Sequence, residues 1–213
     1  MQNVLFCVGV MTEYLYTLAN MNKYSKGHSM QFIGNYKDWL KPEWVEYVLA
    51  NDGYEMPKFE FEQNGIIEAI ARGERAEFCE FQKKYEAVGY THNSLLYYVF
   101  DISNFPFEVP LPPFITLKPG QGYYWNLFKY RPGNLLPIHS DKATKWENNC
   151  ERYWMSWQDW QDGHILIYED KLIAPYNAAD TYKFTDPFGT HGAANIGLTP
   201  RITFQITIFD EQH

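Results

Sequence analysis

The sequence predicts an α+β protein whose C-terminal part is a β core of jelly-roll type, supported by helices on its N-terminal side. Three observations carry that reading. Beyond residue 94, short runs rich in β-branched and aromatic residues alternate with turn signals at close spacing. Before residue 93, apolar residues recur instead at intervals of three and four. Aromatic residues form 18% of the 213 residues, with 17 Tyr, 15 Phe and 7 Trp, and such side chains favour strands and line pockets.

The elements follow in order. Residues 3–11 are apolar, but no basic segment precedes them and Glu13 follows, a poor match to a signal peptide and too short for a membrane span. Lys41-Pro42 opens a helix that places Trp44, Val45, Val48 and Leu49 on one stripe, and Gly53 ends it. A second helical pattern runs from Ile66 to Val88, with Glu80 and Lys84 spaced for an ion pair on its polar face. Residues 1–93 therefore read as a mainly helical support region, and residues 94–213 as the core of a single compact domain. The core begins with the strand 94–100 and a connection broken by Pro106, Pro110, Pro112 and Pro113. Strand-like runs follow at 114–117, 122–130, 134–139, 152–158, 164–169, 172–176, 181–185, 190–195 and 201–209. Eight or nine short strands so spaced argue for a sandwich or barrel.

Charge and cysteine usage exclude several classes of function. With 18 Lys+Arg against 26 Asp+Glu, the net charge of −8 leaves no basic footprint for nucleic acid or an anionic membrane. Mean hydropathy of −0.44 excludes a membrane bundle. Cys7, Cys79 and Cys150 are few, odd in number and scattered, so neither a disulfide framework nor a zinc ribbon is expected. A reducing, cytoplasmic setting fits this pattern.

Among six histidines, one has a carboxylate two residues on: His139-Ser140-Asp141. Residues i and i+2 of a strand share a face, so His139 and Asp141 can approach one metal from the same side. His191, in a strand-like run bounded by Gly197 and Pro200, supplies a third ligand. Two histidines and a carboxylate on separate strands form the facial set of non-haem Fe(II) sites, and the same set can hold catalytic Zn²⁺. His28 and His213 read as surface residues and His92 as a loop residue. His164 reads as structural or pocket-lining.

Arg201 discriminates between these readings. The last strand alternates strictly, with Arg201, Thr203, Gln205 and Thr207 on one face and Ile202, Phe204, Ile206 and Ile208 on the other. That polar face is either solvated or turned into a barrel that holds a polar ligand. With a hairpin turn centred near Leu198, Arg201 would pair with Asn195, about 13 Å along the strand from His191. An arginine so placed grips a carboxylate bidentately. Tyr124 and Tyr130 share parity on one strand, and either can face inward. Arg152 and Trp154 are balanced between wall packing and substrate contact.

Residues 114–213 resemble the 2-oxoglutarate and Fe(II)-dependent oxygenases, most of all their prolyl-4-hydroxylase-like branch. The matching pieces occur in order: Tyr130-Arg131-Pro132-Gly133, then His139 and Asp141, then Trp160 to Tyr168, where His164 stands at a place often held by glycine, then His191, Arg201 and Thr203. The resemblance implies a double-stranded β-helix. It implies Fe(II) on His139, Asp141 and His191, and 2-oxoglutarate with its distal carboxylate on Arg201, assisted by Tyr130, Thr203 or Tyr124. It further implies O₂ as co-substrate, ascorbate as the in-vitro reductant, and hydroxylation of a C–H bond with release of succinate and CO₂. The substrate would be a prolyl or other peptidyl residue, or a small molecule. A non-catalytic jelly-roll metal-binding or scaffold protein is the alternative, and turnover of 2-oxoglutarate discriminates the two.

Overall fold

A computed structural model of the chain describes residues 29–57, 87, 96–139 and 150–210. The described elements are β1 (Met30–Asn35), α1 (Pro42–Ala50), β2 (Tyr54–Pro57), β3 (Leu96–Phe100), β4 (Gln121–Tyr130), β5 (Leu135–His139), β6 (Cys150–Ser156), β7 (His164–Tyr168), β8 (Lys171–Leu172), β9 (Asp180–Phe184), β10 (His191–Asn195) and β11 (Arg201–Asp210). They form a seven-stranded sheet ordered β1-β9-β6-β11-β4-β3-β2 and a four-stranded sheet ordered β5-β10-β7-β8, every pair antiparallel. From β4 to β11 the chain passes between the two sheets, leaving β9-β6-β11-β4 facing β5-β10-β7-β8. That strand order is a double-stranded β-helix.

The region before residue 94 contributes strands as well as a helix. β1 extends the large sheet beyond β9, and β2 extends it beyond β3. The helical pattern at 66–88 lies outside the described residues, Ala87 excepted, which is helical. The run 114–117 is not a strand. Pro112-Pro113 before it and Pro119 after it remove ladder donors, the Ile115 amide turns back to the Pro112 carbonyl at 2.9 Å, and Ile115 is buried as a loop residue. The expected strand 172–176 shortens to Lys171–Leu172, ahead of Pro175.

Helix α1 decides which way the large sheet faces. Pro42 stands in its first turn, and Trp44 and Val48 are its buried residues. Trp39, just before the helix, and Trp44 meet Trp157 and Phe204 in one aromatic cluster, with ring centroids 5.8–6.3 Å apart. Ile202, Phe204 and Ile206 are fully buried in the same cluster. Each such side chain contributes about 1.5–3 kcal/mol on burial. Lys129 completes the junction: its buried Nζ donates to the carbonyl oxygens of Val48, Leu49 and Asn51 at 2.9, 3.0 and 2.7 Å. Those are carbonyls that the end of α1 would otherwise leave unpaired. No helix among the described residues is long and apolar enough to cross a membrane.

Candidate functional site

With the apolar face of β11 under α1, its polar face turns inward. Strands β4, β11 and β6 are in register, and their opposed residues form rungs: Tyr130–Arg201, Phe128–Thr203–Ser156, Asn126–Gln205–Trp154 and Tyr124–Thr207–Arg152. Opposed residues share a face. Residues of all four rungs line one cavity of about 300 Å³, whose far wall is the small sheet with Leu136, Leu166, His191 and Ala193. The outer rungs are six residues apart on β11, about 20 Å at roughly 3.4 Å per residue.

Arg201 is 1% exposed, and its Nε, Nη1 and Nη2 have no hydrogen-bond partner among the described residues. Its guanidinium carbon lies 5.3 Å from the ring centroid of Tyr130 and 5.9 Å from that of Trp154. The Tyr130 ring in turn stacks on Tyr97 at 5.7 Å and 27°. Aromatic faces offset up to about 2 kcal/mol of the cost of burying a cation. That cost is several kcal/mol for an unpaired ion, so the group is complementary to an anion that enters the cavity. A carboxylate satisfies the planar donor fork best.

His191, 8% exposed, lines the same cavity. Its Nδ1 lies 2.9 Å from the Gly189 carbonyl oxygen, which can only accept, so Nδ1 carries the proton and Nε2 the lone pair. This is how a metal-ligating imidazole is held in one tautomer. His191 is the cross-strand partner of His139, the last residue of β5. Asp141 lies outside the described residues, and among those described no three metal-binding side chains come together. The register position of His139, the oriented His191 and the anion-seeking Arg201 fit a metal with a dicarboxylate co-substrate.

The expected Asn195–Arg201 hairpin does not form. β10 pairs with β5 and β7, whereas β11 pairs with β4 and β6, so the chain changes sheets between them. Asn195 holds that crossing in place. Its buried amide donates to the carbonyl oxygens of Tyr130 and Thr199, each at 2.8 Å, and its Oδ1 accepts from the Gly197 amide at 3.1 Å. Arg201 and His191 therefore meet across a cavity and not along one strand. Arg201 shares a rung with Tyr130, while Tyr124 stands on the outermost rung; Thr203 is buried on the rung between.

His164 is buried but is not part of the cavity lining. Its Nε2 donates to the Thr199 carbonyl at 3.1 Å, and its Nδ1 has no partner among the described residues. Burial lowers its pKa; the Thr199 bond opposes that in part, and the Arg201 charge adds a smaller lowering. Tyr97 and Phe184 also line the cavity, and no local pattern singles them out. Tyr97 reaches the cavity because β3 pairs with β4, a long-range pairing.

No family model matches the chain, and no curated protein matches it. Solved structures align with parts of it. A non-heme monooxygenase, ThoJ, in a nickel complex aligns over 43% of this chain and 45% of its own, at 18% identity and a TM-score of 0.36. EvdO2 from Micromonospora carbonacea var. aurantiaca, complexed with 2-oxoglutarate, aligns over 43% and 52% at 15% identity and a TM-score of 0.34. A cupin-superfamily sugar phosphate isomerase from Silicibacter pomeroyi aligns over 43% and 57% at 13% identity and a TM-score of 0.30. The chain thus spans about half the length of each of these three proteins. At these scores the likenesses carry no functional argument, and the double-stranded β-helix rests on the strand order above.

Proposed function

We propose that this chain is an Fe(II)- and 2-oxoglutarate-dependent dioxygenase that hydroxylates a C–H bond. The observation that supports this most is the buried Arg201 guanidinium, unmatched among the described residues and opening on the cavity that His191 lines. His139, Asp141 and His191 would hold the iron, and Arg201 would hold the distal carboxylate of 2-oxoglutarate, with Tyr130 and Thr203 beside it. When bound, these groups supply the oxidation, using O₂ and converting 2-oxoglutarate to succinate and CO₂.

The chain's own residues bind, orient and exclude water. The Gly189 carbonyl keeps the proton on Nδ1 of His191, so Nε2 stays available as a ligand. Tyr130, braced by Tyr97, and Trp154 hold the guanidinium between ring faces, so a carboxylate meets a preorganised donor fork. Leu136, Leu166, Phe184 and Ala193 give the cavity apolar walls.

The test is succinate release on adding Fe(II), ascorbate and 2-oxoglutarate to the protein, together with the 2-oxoglutarate-dependent visible absorption of the anaerobic Fe(II) complex. Both are expected. Absence of both would favour a metal-binding scaffold without turnover.

A further inference from the structure

We propose that Glu169 and Tyr168 are positioning residues for His191: through the loop 186–190 they fix the proton on its Nδ1 and so present Nε2 as the ligand atom, which rests on His191 being a metal ligand. The loop joins β9 to β10 and carries the Gly189 carbonyl that meets Nδ1 at 2.9 Å. Asp186-Pro187-Phe188-Gly189 has the residue order that a type I turn favours, with Asp first, Pro second and Gly last. The Gly189 amide closes the turn onto the Asp186 carbonyl at 3.0 Å, and the Asp186 carboxylate accepts from the Phe188 amide at 2.9 Å. A turn fixes its own shape but not its distance from the next strand. Two side chains at the end of β7 set that distance.

Tyr168, the cross-strand partner of His191, is fully buried. Its hydroxyl donates to the Asp186 carbonyl oxygen at 2.6 Å and accepts from the Asp186 amide at 3.1 Å. Its ring packs edge-on against Phe184 with centroids 5.0 Å apart, and Phe184 packs the same way on the His191 imidazole at 6.0 Å and 72°. One residue thus steadies both the turn that offers the carbonyl and the ring that limits rotation of the imidazole. Glu169 holds the other end of the loop. Its amide donates to the Thr190 carbonyl at 2.6 Å, and its Oε1 accepts from the Thr190 amide at 2.8 Å. The residue before His191 is therefore gripped at both of its backbone polar groups. Glu169 has φ +54° in the two-residue turn between β7 and β8, where Gly or Asn is the unstrained choice. What glutamate adds at that position is a carboxylate that reaches Thr190. Gly189 completes the fit, since a Cβ there would collide with the Tyr168 hydroxyl and Glu169 Oε1. Removing the outer partners of a metal-ligating histidine typically costs about 10–100-fold in metal affinity.

Two measurements on the full chain test this. Long-range ¹H–¹⁵N correlation spectra of the metal-free protein, taken at pH 8, above the ordinary imidazole pKa of about 6.5, read the His191 tautomer. The His191 signals are identified by their loss in His191→Ala. Calorimetric titration with Ni(II) reads metal affinity. The parent is expected to show a single tautomer with the proton on Nδ1. Glu169→Gly, which relieves the positive φ and removes the acceptor, and Tyr168→Phe are each expected to give mixed tautomers and Ni(II) binding weaker by about tenfold or more. Glu169→Gln, which keeps an acceptor oxygen, is expected to restore the single tautomer and an Ni(II) affinity close to the parent's. Glu169→Gly carries the test if Tyr168→Phe does not fold. A parent proton on Nε2, or a tautomer in Glu169→Gln as mixed as in Glu169→Gly, would overturn the proposal. An unchanged tautomer in either variant would overturn the role of that residue, and mixed tautomers with undiminished Ni(II) affinity would overturn the positioning role of both. Failure of the parent to bind Ni(II) would count against the metal reading alone; a tautomer that still depends on Glu169 and Tyr168 would support this one.

Discussion

Arg201 faces Tyr130 directly across the β11–β4 ladder, with its guanidinium carbon 5.3 Å from the centre of the phenol ring. The pair closes one end of the cavity and gives it a cation with no matching anion among the described residues. Such an arrangement lowers stability in the empty protein and is relieved by a bound carboxylate.

Arg201→Met separates these two effects. Replacing buried charges by apolar groups of similar volume is often neutral or stabilising by about 1–4 kcal/mol. The variant should therefore melt no lower than the parent, while its 2-oxoglutarate affinity falls tenfold or more. Thermal unfolding with and without 2-oxoglutarate reads both. Ligand at 100 times the parent's Kd adds about 2.7 kcal/mol to the parent and, at that concentration, at most about 1.4 kcal/mol to a variant that binds tenfold or more weakly.

Metal content tests the other end of the site. His139→Ala, Asp141→Ala and His191→Ala should each lose stoichiometric Fe(II) or Ni(II) on dialysis, measured by elemental analysis. Arg201→Met should keep it. Retention of metal by His191→Ala would remove that residue from the ligand set.

His164 imposes a dependence on acidity. Its folded-state pKa is lowered from 6.5 by burial, so the unfolded chain binds the proton more readily. The stabilising effect is complete above about pH 6.5 and is lost as the pH falls from there toward the folded pKa, by at most about 1.4 kcal/mol per pH unit. Urea unfolding from pH 8 to pH 5 should show this loss in the parent. His164→Gln, which keeps a donor toward the Thr199 carbonyl, should show a smaller one.

Gly163 and Lys129 are points where stability depends on long-range fit. Gly163 has φ +91°, and a Cβ there would collide with the Gly197 backbone in the sheet-to-sheet crossing. Gly163→Ala should cost roughly 1–3 kcal/mol in strain and a comparable amount in overpacking. Lys129→Met would leave the Val48, Leu49 and Asn51 carbonyls without their donor, at about 1–3 kcal/mol or more. Chemical denaturation measures both.

Much of the β core was legible because alternation and turn residues are local signals. β4, β6, β7, β9, β10 and β11 appear within a few residues of where their patterns place them. The run at 114–117 misled, because apolar content there serves a proline-bounded loop. Period-two alternation told that Arg201, Thr203, Gln205 and Thr207 share a face, but not whether that face was wet. The core that Ile202, Phe204 and Ile206 share with Trp39, α1 and the 102–115 connection decided this. Equal parity of Tyr124 and Tyr130 likewise could not rank them, whereas the β4–β11 register puts Tyr130 beside Arg201.

By itself, then, the sequence determined the strands, the spacing of His139 and Asp141, and the kinds of side chain near His191 and Arg201, since composition and periodicity act within a few residues. Only the tertiary structure decided that β10 and β11 belong to different sheets, that the polar face of β11 looks inward, and that Arg201 and Arg152 mark opposite ends of one cavity. Those facts depend on pairings between strands distant in sequence, and the free energy favouring them includes burial of the large sheet's apolar face in a core shared with Trp39, α1 and the 102–115 connection.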